Sequence, residues 1–353
     1  MRFPSVIPVK ALKLERIYLP IHKGGDGAPP WSFKGGLVCE GFQMKHNKVL
    51  GFVGLGKMGN NIVLHLLEKG YRVIVYNRTQ EKMTEVVEAG AIASRSLKDM
   101  VAKLGPGRRV IWIMLPEGVT SEKVMEVAKY LKEDDIVVDG SNSNYKESIE
   151  LYSALRKNGV RYLDAGCSGG PSGARHGLCI MVGGDREVFG YLRELFEDAS
   201  TSDGLHYTGQ AGSGHYVKMV HNGIEYGMMQ SIGEGLELLK NGPFKGLDLA
   251  NICRLWDHGS VIEGKLIRLA GQGLGKDHDL GRVAPYVEDT GEGRWCIDTS
   301  VEFGIPVPSM SLALFERFKS RSEERFQDRV IAMMRTEFGG HGTKEDRVKI
   351  SGK

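Results

Sequence analysis

Four polar side chains in the second half of the chain stand at spacings that could form a catalytic cluster. Lys218, His221, Asn222 and Glu225 occupy positions i, i+3, i+4 and i+7, so a helix places them on one face. Their neighbours are mainly apolar, and ionisable groups on a buried helix are costly unless they are paired or face a cleft. A desolvated lysine can act as a general base near neutral pH, and a glutamic acid two turns away can act as the complementary acid. The alternative interpretation is a solvated face with a Lys–Glu contact.

A glycine pattern near residue 54 predicts a dinucleotide-binding turn. The segment Gly54-Leu55-Gly56-Lys57-Met58-Gly59 fits G-x-G-x-x-G and stands between an apolar run at 49–53 and a helical pattern at 60–69. In this motif the first glycine makes the tight turn, the second admits a pyrophosphate, and the third lets the helix pack on the strand. The N–H groups of the helix N-terminus then bind the phosphate. The alternative interpretation is a purely structural turn.

The end of the next apolar run indicates which dinucleotide is bound. It carries Asn77-Arg78-Thr79, where a site for NAD usually has a carboxylate that binds the ribose 2′-hydroxyl. A guanidinium can bind the 2′-phosphate through charge-assisted hydrogen bonds, which a carboxylate would repel. These residues favour NADP, and the alternative is that Arg78 only stacks on the adenine and both NADP and NAD are accepted.

The elements that must position these residues alternate between strand and helix in the first part of the chain. Strand signals lie at 49–53, 71–76, 110–115, 136–139, 161–165 and 178–182, and most are separated by helical patterns. This alternation predicts an α/β fold, a Rossmann-type doubly wound parallel sheet with helices on both faces. After about Gly214 the strand signals stop, and the later patterns predict an all-α C-terminal domain.

The same patterns divide the chain. Residues 48–213 are predicted to form the dinucleotide-binding domain, and 214–342 an all-helical domain. Residues 1–47 contain five of the twelve prolines and no apolar signal sequence, so we expect a disordered extension or a start codon placed too early. Residues 343–353 are expected to be a tail.

Composition excludes several classes of protein. Glycine makes up 48 of 353 residues, about twice the usual ~7%, without the period of collagen. No apolar run reaches the ~18–20 residues that span a bilayer. Residues 1–43 carry six basic and three acidic side chains, which accounts for the whole formal charge of +3. The remainder is neutral, so a nucleic-acid partner is not indicated.

The cysteines indicate a reducing compartment. Cys39, Cys167, Cys179, Cys253 and Cys296 are odd in number, widely spaced and without a C-x-x-C pair. This distribution argues against a disulfide framework and against a zinc site, and it favours the cytoplasm. We predict no bound metal.

Together these motifs resemble those of the 6-phosphogluconate dehydrogenase family, within the wider β-hydroxyacid dehydrogenase group. The resemblance covers about residues 48–342 and matches the shorter bacterial and archaeal form. It rests on Asn77-Arg78-Thr79, on Asp139-Gly140-Ser141-Asn142-Ser143, on Cys167-Ser168-Gly169-Gly170, and on K-x-x-H-N-x-x-E-Y from Lys218 to Tyr226. The family resemblance implies oxidative decarboxylation of 6-phospho-D-gluconate in the pentose phosphate pathway by a cytoplasmic, NADP-dependent enzyme. It also implies that the enzyme is a homodimer or a higher homo-oligomer, with residues 214–342 as the domain that binds 6-phosphogluconate and the second subunit.

The resemblance also assigns residues to the two ligands. The cofactor is assigned to the glycine turn, to Asn77, Arg78 and Thr79, and to Met114, Leu115, Pro116 and Asn142. The substrate is assigned to Asn142, Ser168, Gly169, Gly170, His221, Asn222, Tyr226, Arg294, Arg317, Arg335 and His341. Lys218 is implied to be the base and Glu225 the acid.

Two points within the resemblance concern the sugar phosphate. Arg294, Arg317 and Arg335 are expected to bind it, and in longer relatives the R-x5-H pair at Arg335 and His341 comes from the neighbouring subunit. Cys296 stands where the family usually has a threonine, so a hydroxyl is missing from the expected phosphate pocket. The alternatives are a β-hydroxyacid dehydrogenase for a small unphosphorylated acid and a non-catalytic NADPH sensor, against which the arginines and the Lys218–Glu225 pair respectively argue.

Overall fold

An eight-stranded sheet forms the first part of the chain in the computed structural model, which describes residues 47–322 and 325–339. The strand order is β3-β2-β1-β4-β5-β6-β7-β8. The strands are β1 (Val49–Val53), β2 (Arg72–Tyr76), β3 (Ile92–Ala93), β4 (Val110–Ile113), β5 (Ile136–Asp139), β6 (Arg161–Ser168), β7 (Leu178–Gly184) and β8 (Ser200–Gly209).

Helices cover both faces of this sheet and then form the rest of the described chain. Those of the first part are α1 (Lys57–Glu68), α2 (Thr84–Glu88), α3 (Leu97–Lys103), α4 (Thr120–Ala128), α5 (Tyr145–Arg156), α6 (Gly170–His176), α7 (Arg186–Tyr191) and α8 (Arg193–Ala199), with a 3-10 turn at Gln80–Met83. The later ones are α9 (Ser213–Asn241), α10 (Leu249–Trp256), α11 (Lys265–Lys276), α12 (Glu292–Phe303), α13 (Pro308–Ser320) and α14 (Phe326–Gly339). The predicted fold class is confirmed.

The sheet is parallel from β3 to β6, but β7 runs antiparallel to β6, and β8 is parallel to β7. The sheet is therefore mostly parallel, as predicted, and the parallel arrangement is interrupted between β6 and β7. The physical reason is the length of the connection, because a parallel crossover needs about a dozen residues or more and only residues 169–177 join β6 to β7.

Two strands gave no signal in the sequence. β3 has two residues, and β8 is a polar, partly exposed edge strand with a register shift against β7. Neither contains an apolar run, so hydrophobic periodicity could not reveal it. In the helical part, α10 and α11 are separate helices, because Gly259 and Gly264 adopt positive φ between them.

The core of the first part lies on both faces of the sheet. All four residues of β4 are buried: Val110 and Trp112 pack on one face, and Ile111 and Ile113 on the other. Strands covered on both sides are continuously apolar, which explains the unbroken run in the sequence. The helical part has only small buried clusters, one around Leu249–Leu274 and one around Tyr226.

Helix α9 connects the two parts. Its 29 residues correspond to about 44 Å, and its first turns pack on β6 and β7. The sheet ends at Gly209 and α9 begins at Ser213, near the predicted boundary at 213–214, which stays a prediction. The predicted extension, apart from Asn47, and the predicted tail lie outside the described residues. No helix among the described residues is long and apolar enough to span a membrane.

Candidate active site

The glycine turn at 54–59 has the geometry of a dinucleotide site. A Cβ at Gly54, whose φ is +98°, would overlap the carbonyl oxygen of Met114, and a Cβ at Gly59 would overlap that of Gly54. The same construction at Gly56 meets no atom within 4 Å. The first and third glycines are therefore required by packing, and the second leaves its backbone open to a ligand.

The start of α1 supplies donors at the same place. The helix begins at Lys57, and its N-cap residue Gly56 provides no side-chain cap. Its first N–H groups are therefore available to an anion. The residues present fit the pyrophosphate of a dinucleotide.

The residues after β2 and β4 support this turn. Asn77 Oδ1 accepts a hydrogen bond from Leu55 N at 2.9 Å, and its Nδ2 donates to Thr79 O at 2.7 Å. Arg78 is exposed, and no carboxylate of the described chain lies within 4.0 Å of it. Leu115 N donates to Ser141 Oγ at 3.0 Å, next to partly buried Met114 and exposed Pro116.

A buried aspartate at the end of β5 fixes the loop that carries Asn142. Asp139 accepts from Ser141 N at 3.0 Å, from Ser143 Oγ at 3.1 Å and from Tyr162 OH at 3.0 Å. Burial of the Tyr162 side chain, and after it the nearby carboxylates of Asp139 and Asp164, raise the pKa of Tyr162 well above its ordinary value. The phenol therefore stays protonated and continues to donate to Asp139.

A second buried aspartate holds the N-terminus of α9. Asp164 on β6 accepts from Gly212 N at 2.7 Å and from His215 N at 2.9 Å. A carboxylate is favourable there because the free N–H groups and the dipole of a helix attract negative charge. Gly212 itself is left-handed, with φ +89°.

Close packing then sets the position of Lys218. A Cβ at Gly166 on β6 would overlap Lys218 Cβ, and a Cβ at Gly214 would lie 2.5 Å from Met181 O on β7. These glycines let α9 approach the sheet more closely than any larger residue would allow. The stretch from Gly212 to Lys218 thus forms a contact between helix and sheet, and this contact fixes the position of the lysine.

The predicted cluster on α9 is assembled through Asn222. Lys218 Nζ donates to Asn222 Oδ1, and His221 Nδ1 lies 3.0 Å from the same oxygen. His221 also reaches Ser168 Oγ through Nε2 at 3.3 Å, and its Nδ1 lies 3.8 Å from Glu225 Oε2. The structure therefore brings these five side chains together.

Burial tunes the base. Desolvation lowers the pKa of Lys218 below its ordinary value, and the carboxylates of Glu225 and Glu292 oppose that shift. Desolvation raises the pKa of the nearby, partly buried Cys167 thiol to about 12, so it stays protonated and neutral near pH 7. A lysine with a lowered pKa is the group expected of a general base.

These residues line a cavity of about 1330 Å³. The predicted residues in its wall are Met58, Asn142, Ser168, Gly169, Gly170, Lys218, His221, Asn222 and Glu225. The wall also contains polar residues that the sequence reasoning did not select, among them Lys265, Thr290 and Glu292. Lys265, at the start of α11, donates to Gly169 O at 2.8 Å.

The arginines expected to bind the sugar phosphate lie elsewhere. None of Arg294, Arg317 and Arg335 is in the wall of this cavity. Arg294 and Arg321 pair with Asp289, and these guanidinium groups hold the pKa of that carboxyl well below its usual range. Arg294 binds both carboxylate oxygens of Asp289, and Arg321 binds one of them. These ion pairs hold the segment that contains Asp289 and Thr290 in place.

The remaining predicted residues have these positions. The Arg317 guanidinium lies 3.5 Å from the centre of the Tyr226 ring and donates to Glu288 O, and Tyr226 OH accepts from Thr290 N at 3.2 Å. Arg335 is an exposed residue of α14. His341 lies outside the described residues.

Cys296 has a packing role. Its thiol is buried, donates to Met219 O at 3.2 Å, and a Cβ at Gly223 would lie 2.8 Å from its sulfur. Residue 296, on α12, therefore faces α9 and is outside the cavity wall. The expectation that a hydroxyl is missing from the phosphate pocket at this position stays a prediction.

No group of three or more histidine, cysteine, aspartate or glutamate side chains suitable for a metal ion occurs in the described part of the chain. Cys167, Cys179, Cys253 and Cys296 are all free thiols.

Comparison with known families divides the chain as the fold does. Residues 49–211 match the NAD binding domain of 6-phosphogluconate dehydrogenase, and residues 214–350 match the C-terminal domain of 6-phosphogluconate dehydrogenase.

Two curated relatives are similar over nearly their whole length. YqeC of Bacillus subtilis, provisionally named a 6-phosphogluconate dehydrogenase, is 40% identical over 296 residues, which are 84% of this chain and 99% of that protein. The NAD(+)-dependent, decarboxylating 6-phosphogluconate dehydrogenase of Haloferax volcanii is 39% identical over 295 residues, 83% of this chain and 97% of that protein.

Solved structures agree with this assignment. The 6-phosphogluconate dehydrogenase of Plasmodium falciparum, studied alone, with NADP+ and with 6-phosphogluconate, has a TM-score of 0.71 at 29% identity. The match covers 82% of this chain but 64% of that enzyme, which is longer. A 3-hydroxyisobutyrate dehydrogenase of Salmonella typhimurium shares the fold, with a TM-score of 0.65 at 20% identity. The chain belongs to the 6-phosphogluconate dehydrogenase family, in its short form, within the β-hydroxyacid dehydrogenase group.

Proposed function

We propose that this protein oxidises and decarboxylates 6-phospho-D-gluconate to D-ribulose 5-phosphate and carbon dioxide, with NADP as the preferred cofactor and NAD as the alternative. The observation that carries the proposal is the cluster of Lys218, Asn222, His221, Ser168 and Glu225 in one cavity wall. A partly desolvated lysine and a carboxyl on one helix face are the base and acid that this reaction requires.

The reaction assigns a proton to each of these two residues. When bound, the nicotinamide supplies the acceptor for the hydride from C3 of the substrate. Neutral Lys218 takes the proton of the 3-hydroxyl, and its ammonium then donates to the new 3-keto oxygen. That oxygen draws in the electron pair released when the C1–C2 bond breaks and C1 leaves as carbon dioxide. Glu225 donates the proton that the carbon destined to become C1 of ribulose 5-phosphate must gain.

The choice of cofactor rests on the end of β2. Exposed, unpaired Arg78 is suited to a 2′-phosphate, and no carboxylate takes the usual place of an NAD site there. The Plasmodium structure includes NADP+, whereas the Haloferax relative is named as NAD(+)-dependent. We therefore expect a higher kcat/KM with NADP than with NAD.

The helical part suggests self-association. This part exposes large apolar side chains, among them Leu238 of α9 at 72% and Phe244 of the segment after α9 at 73%. Contiguous apolar surface on a folded chain usually marks an interface. We therefore include a homodimer in the proposal, with Arg335 and His341 as the residues that a second copy would bring to the sugar phosphate. The free thiols favour the cytoplasm.

An assay with both cofactors tests this function. Purified protein is given 6-phosphogluconate with NADP or with NAD, and both absorbance at 340 nm and released carbon dioxide are measured. We expect one carbon dioxide for each reduced cofactor. Reduction without carbon dioxide, or turnover of 3-hydroxyisobutyrate in preference to 6-phosphogluconate, would contradict the proposal.

A further inference from the structure

Glu292, at the start of α12, is a buried carboxylate in the wall of the catalytic cavity, and its side chain contacts both parts of the chain. Residue 292 is only 3% exposed. Its Oε1 accepts from Asn142 Nδ2 at 2.5 Å and from Asn222 Nδ2 at 2.6 Å, and its Oε2 accepts from Thr290 Oγ1 at 2.6 Å. Three donors thus offset the cost of burying this carboxylate.

These bonds determine the orientation of the Asn222 amide. Because Nδ2 donates to Glu292, Oδ1 must point the other way, and there it accepts from Lys218 Nζ and contacts His221 Nδ1. With the amide reversed, an N–H group would face the lysine and the hydrogen bond would be lost. Glu292 therefore sets the direction of the lysine N–H through two successive hydrogen bonds, one from Asn222 to Glu292 and one from Lys218 to Asn222.

The backbone is shaped to bring this carboxylate to the site. Gly291 has φ +92°, a conformation that other residues rarely adopt, and a Cβ there would lie 2.9 Å from the Trp295 ring. A Cβ at Gly293 would lie 2.8 Å from the Tyr226 ring. The Gly-Glu-Gly sequence lets α12 start against α9, with Glu292 directed at Asn222.

We propose that Glu292 is a positioning residue for the reaction: it fixes the Asn222 amide, and through it Lys218, and it ties that pair to Asn142 on the cofactor side of the cavity. The inference rests on the proposed function, because Lys218 must be the base for its orientation to affect turnover.

Two substitutions separate geometry from charge. Glu292→Ala removes all three hydrogen bonds and frees the Asn222 amide to rotate, so we expect kcat to fall by about 10²-fold, as for a catalytic group misplaced by about 1 Å. Glu292→Gln can keep one oxygen as the acceptor for both amides; it lacks the negative charge, and its amide nitrogen would donate to the Thr290 hydroxyl instead of accepting from it. Its loss of kcat should therefore be at least tenfold smaller.

The pH profile gives a readout that a merely structural residue would not move. The groups that face Lys218 are Glu225 and His221 on α9, Cys167 and Cys179 on β6 and β7, and Glu292 on α12. An anion raises the pKa of a lysine, so its removal in Glu292→Gln lowers that pKa further. The acid limb of kcat/KM against pH should therefore move to lower pH in this variant.

The experiment compares wild type, both variants and Glu302→Gln in steady-state assays with 6-phosphogluconate, in cofactor titrations and in thermal melts. Glu302 is an exposed carboxylate on the same helix, so it controls for loss of charge alone. We expect the control to match wild type and the cofactor Kd to change less than twofold in all variants. Should Glu292→Ala unfold, the acid limb of Glu292→Gln still decides the question.

The outcomes are distinguishable from failure of the function itself. A wild-type protein with no activity on 6-phosphogluconate would sink the proposed function. An active wild type whose Glu292→Gln variant has an unmoved acid limb, or whose folded Glu292→Ala variant keeps kcat within twofold, would overturn the positioning role.

Discussion

At the scale of single residues, the site is organised by amide groups between ionisable ones. Asn222 accepts a hydrogen bond from Lys218 on its Oδ1 and donates one to Glu292 from its Nδ2. One side chain therefore connects the base to a carboxylate on another helix. The sequence pattern identified Lys218, His221, Asn222 and Glu225 because i, i+3, i+4 and i+7 share a helix face. It could not identify Glu292, since the contact joins residues 70 positions apart.

Replacement of the base gives the first prediction at this scale. Lys218→Met should lower kcat/KM by about 10³-fold or more, as expected when a general base is removed, and should keep cofactor binding because the glycine turn is untouched. Steady-state kinetics and a fluorescence titration with NADPH measure the two effects. Lys240→Met, near the exposed end of the same helix, is the matched control.

The wild-type pH profile belongs with this prediction. Burial lowers the pKa of Lys218, so the neutral amine persists to a lower pH than the ordinary value of about 10.4 would allow. Activity should fall as pH decreases through the lowered pKa, because the protonated amine cannot accept the 3-hydroxyl proton. A Lys218→Met variant whose kcat/KM stays close to that of the wild type would contradict the assignment of Lys218 as the base.

At the scale of elements, the contact between α9 and the sheet positions the chemistry. Asp164 caps the helix, and the glycines at 166 and 214 set its distance from β6 and β7. A predicted helix in the sequence says nothing about how closely it approaches a sheet. The structural reason for these glycines therefore became visible only when the two elements were seen together.

Gly166→Ala tests this contact. The added methyl group would overlap Lys218 Cβ and approach Gly214 O, so we expect a loss of about 1–3 kcal/mol in the free energy of unfolding, as in other overpacked cores, and a lower kcat. Gly227→Ala on α9 is the matched control, because a Cβ there meets no atom within 4 Å. That change should leave stability equal or raise it by up to about 1 kcal/mol. Chemical denaturation of both variants decides the matter, and equal stabilities would contradict the packing argument.

At the scale of the whole molecule, the fold class and the family could be predicted from the sequence, because motif and periodicity are local properties. The direction of β7 and the edge strand β8 could not, since one depends on a short connection and the other on backbone pairing without apolar residues. The positions of Arg294 and Arg317 could not be predicted either. Arg294 pairs with Asp289 and Arg317 lies over the Tyr226 ring because of the way the helices pack, which the sequence pattern does not show.

Self-association is the prediction at this scale. Light scattering should give a mass about twice the 38.9 kDa of the chain, because the apolar side chains exposed on the helical part would be covered by a second copy. The double substitution Leu238→Asp with Phe244→Asp should shift the mass toward one chain. Val87→Asp, at an exposed apolar position of α2 in the sheet domain, serves as control. A wild-type protein that stays monomeric at micromolar concentration would refute the dimer.

Asp164 and the glycine contacts attach the start of α9 to the sheet. The position of Lys218 is therefore fixed relative to the sheet that also carries the dinucleotide turn. Helix α11, the start of α12 and the segments that precede them contribute another part of the cavity wall, through residues such as Lys265 and Thr290. The catalytic cluster thus depends on both parts of the chain, because the sheet holds α9 with Lys218 and α12 holds Asn222 through Glu292. A small shift of α12 against α9 would therefore turn the Asn222 amide while the distance between Lys218 and the nucleotide turn stays constant, which makes the contact between these two helices the place where the activity of the base can be adjusted without any change in the sheet.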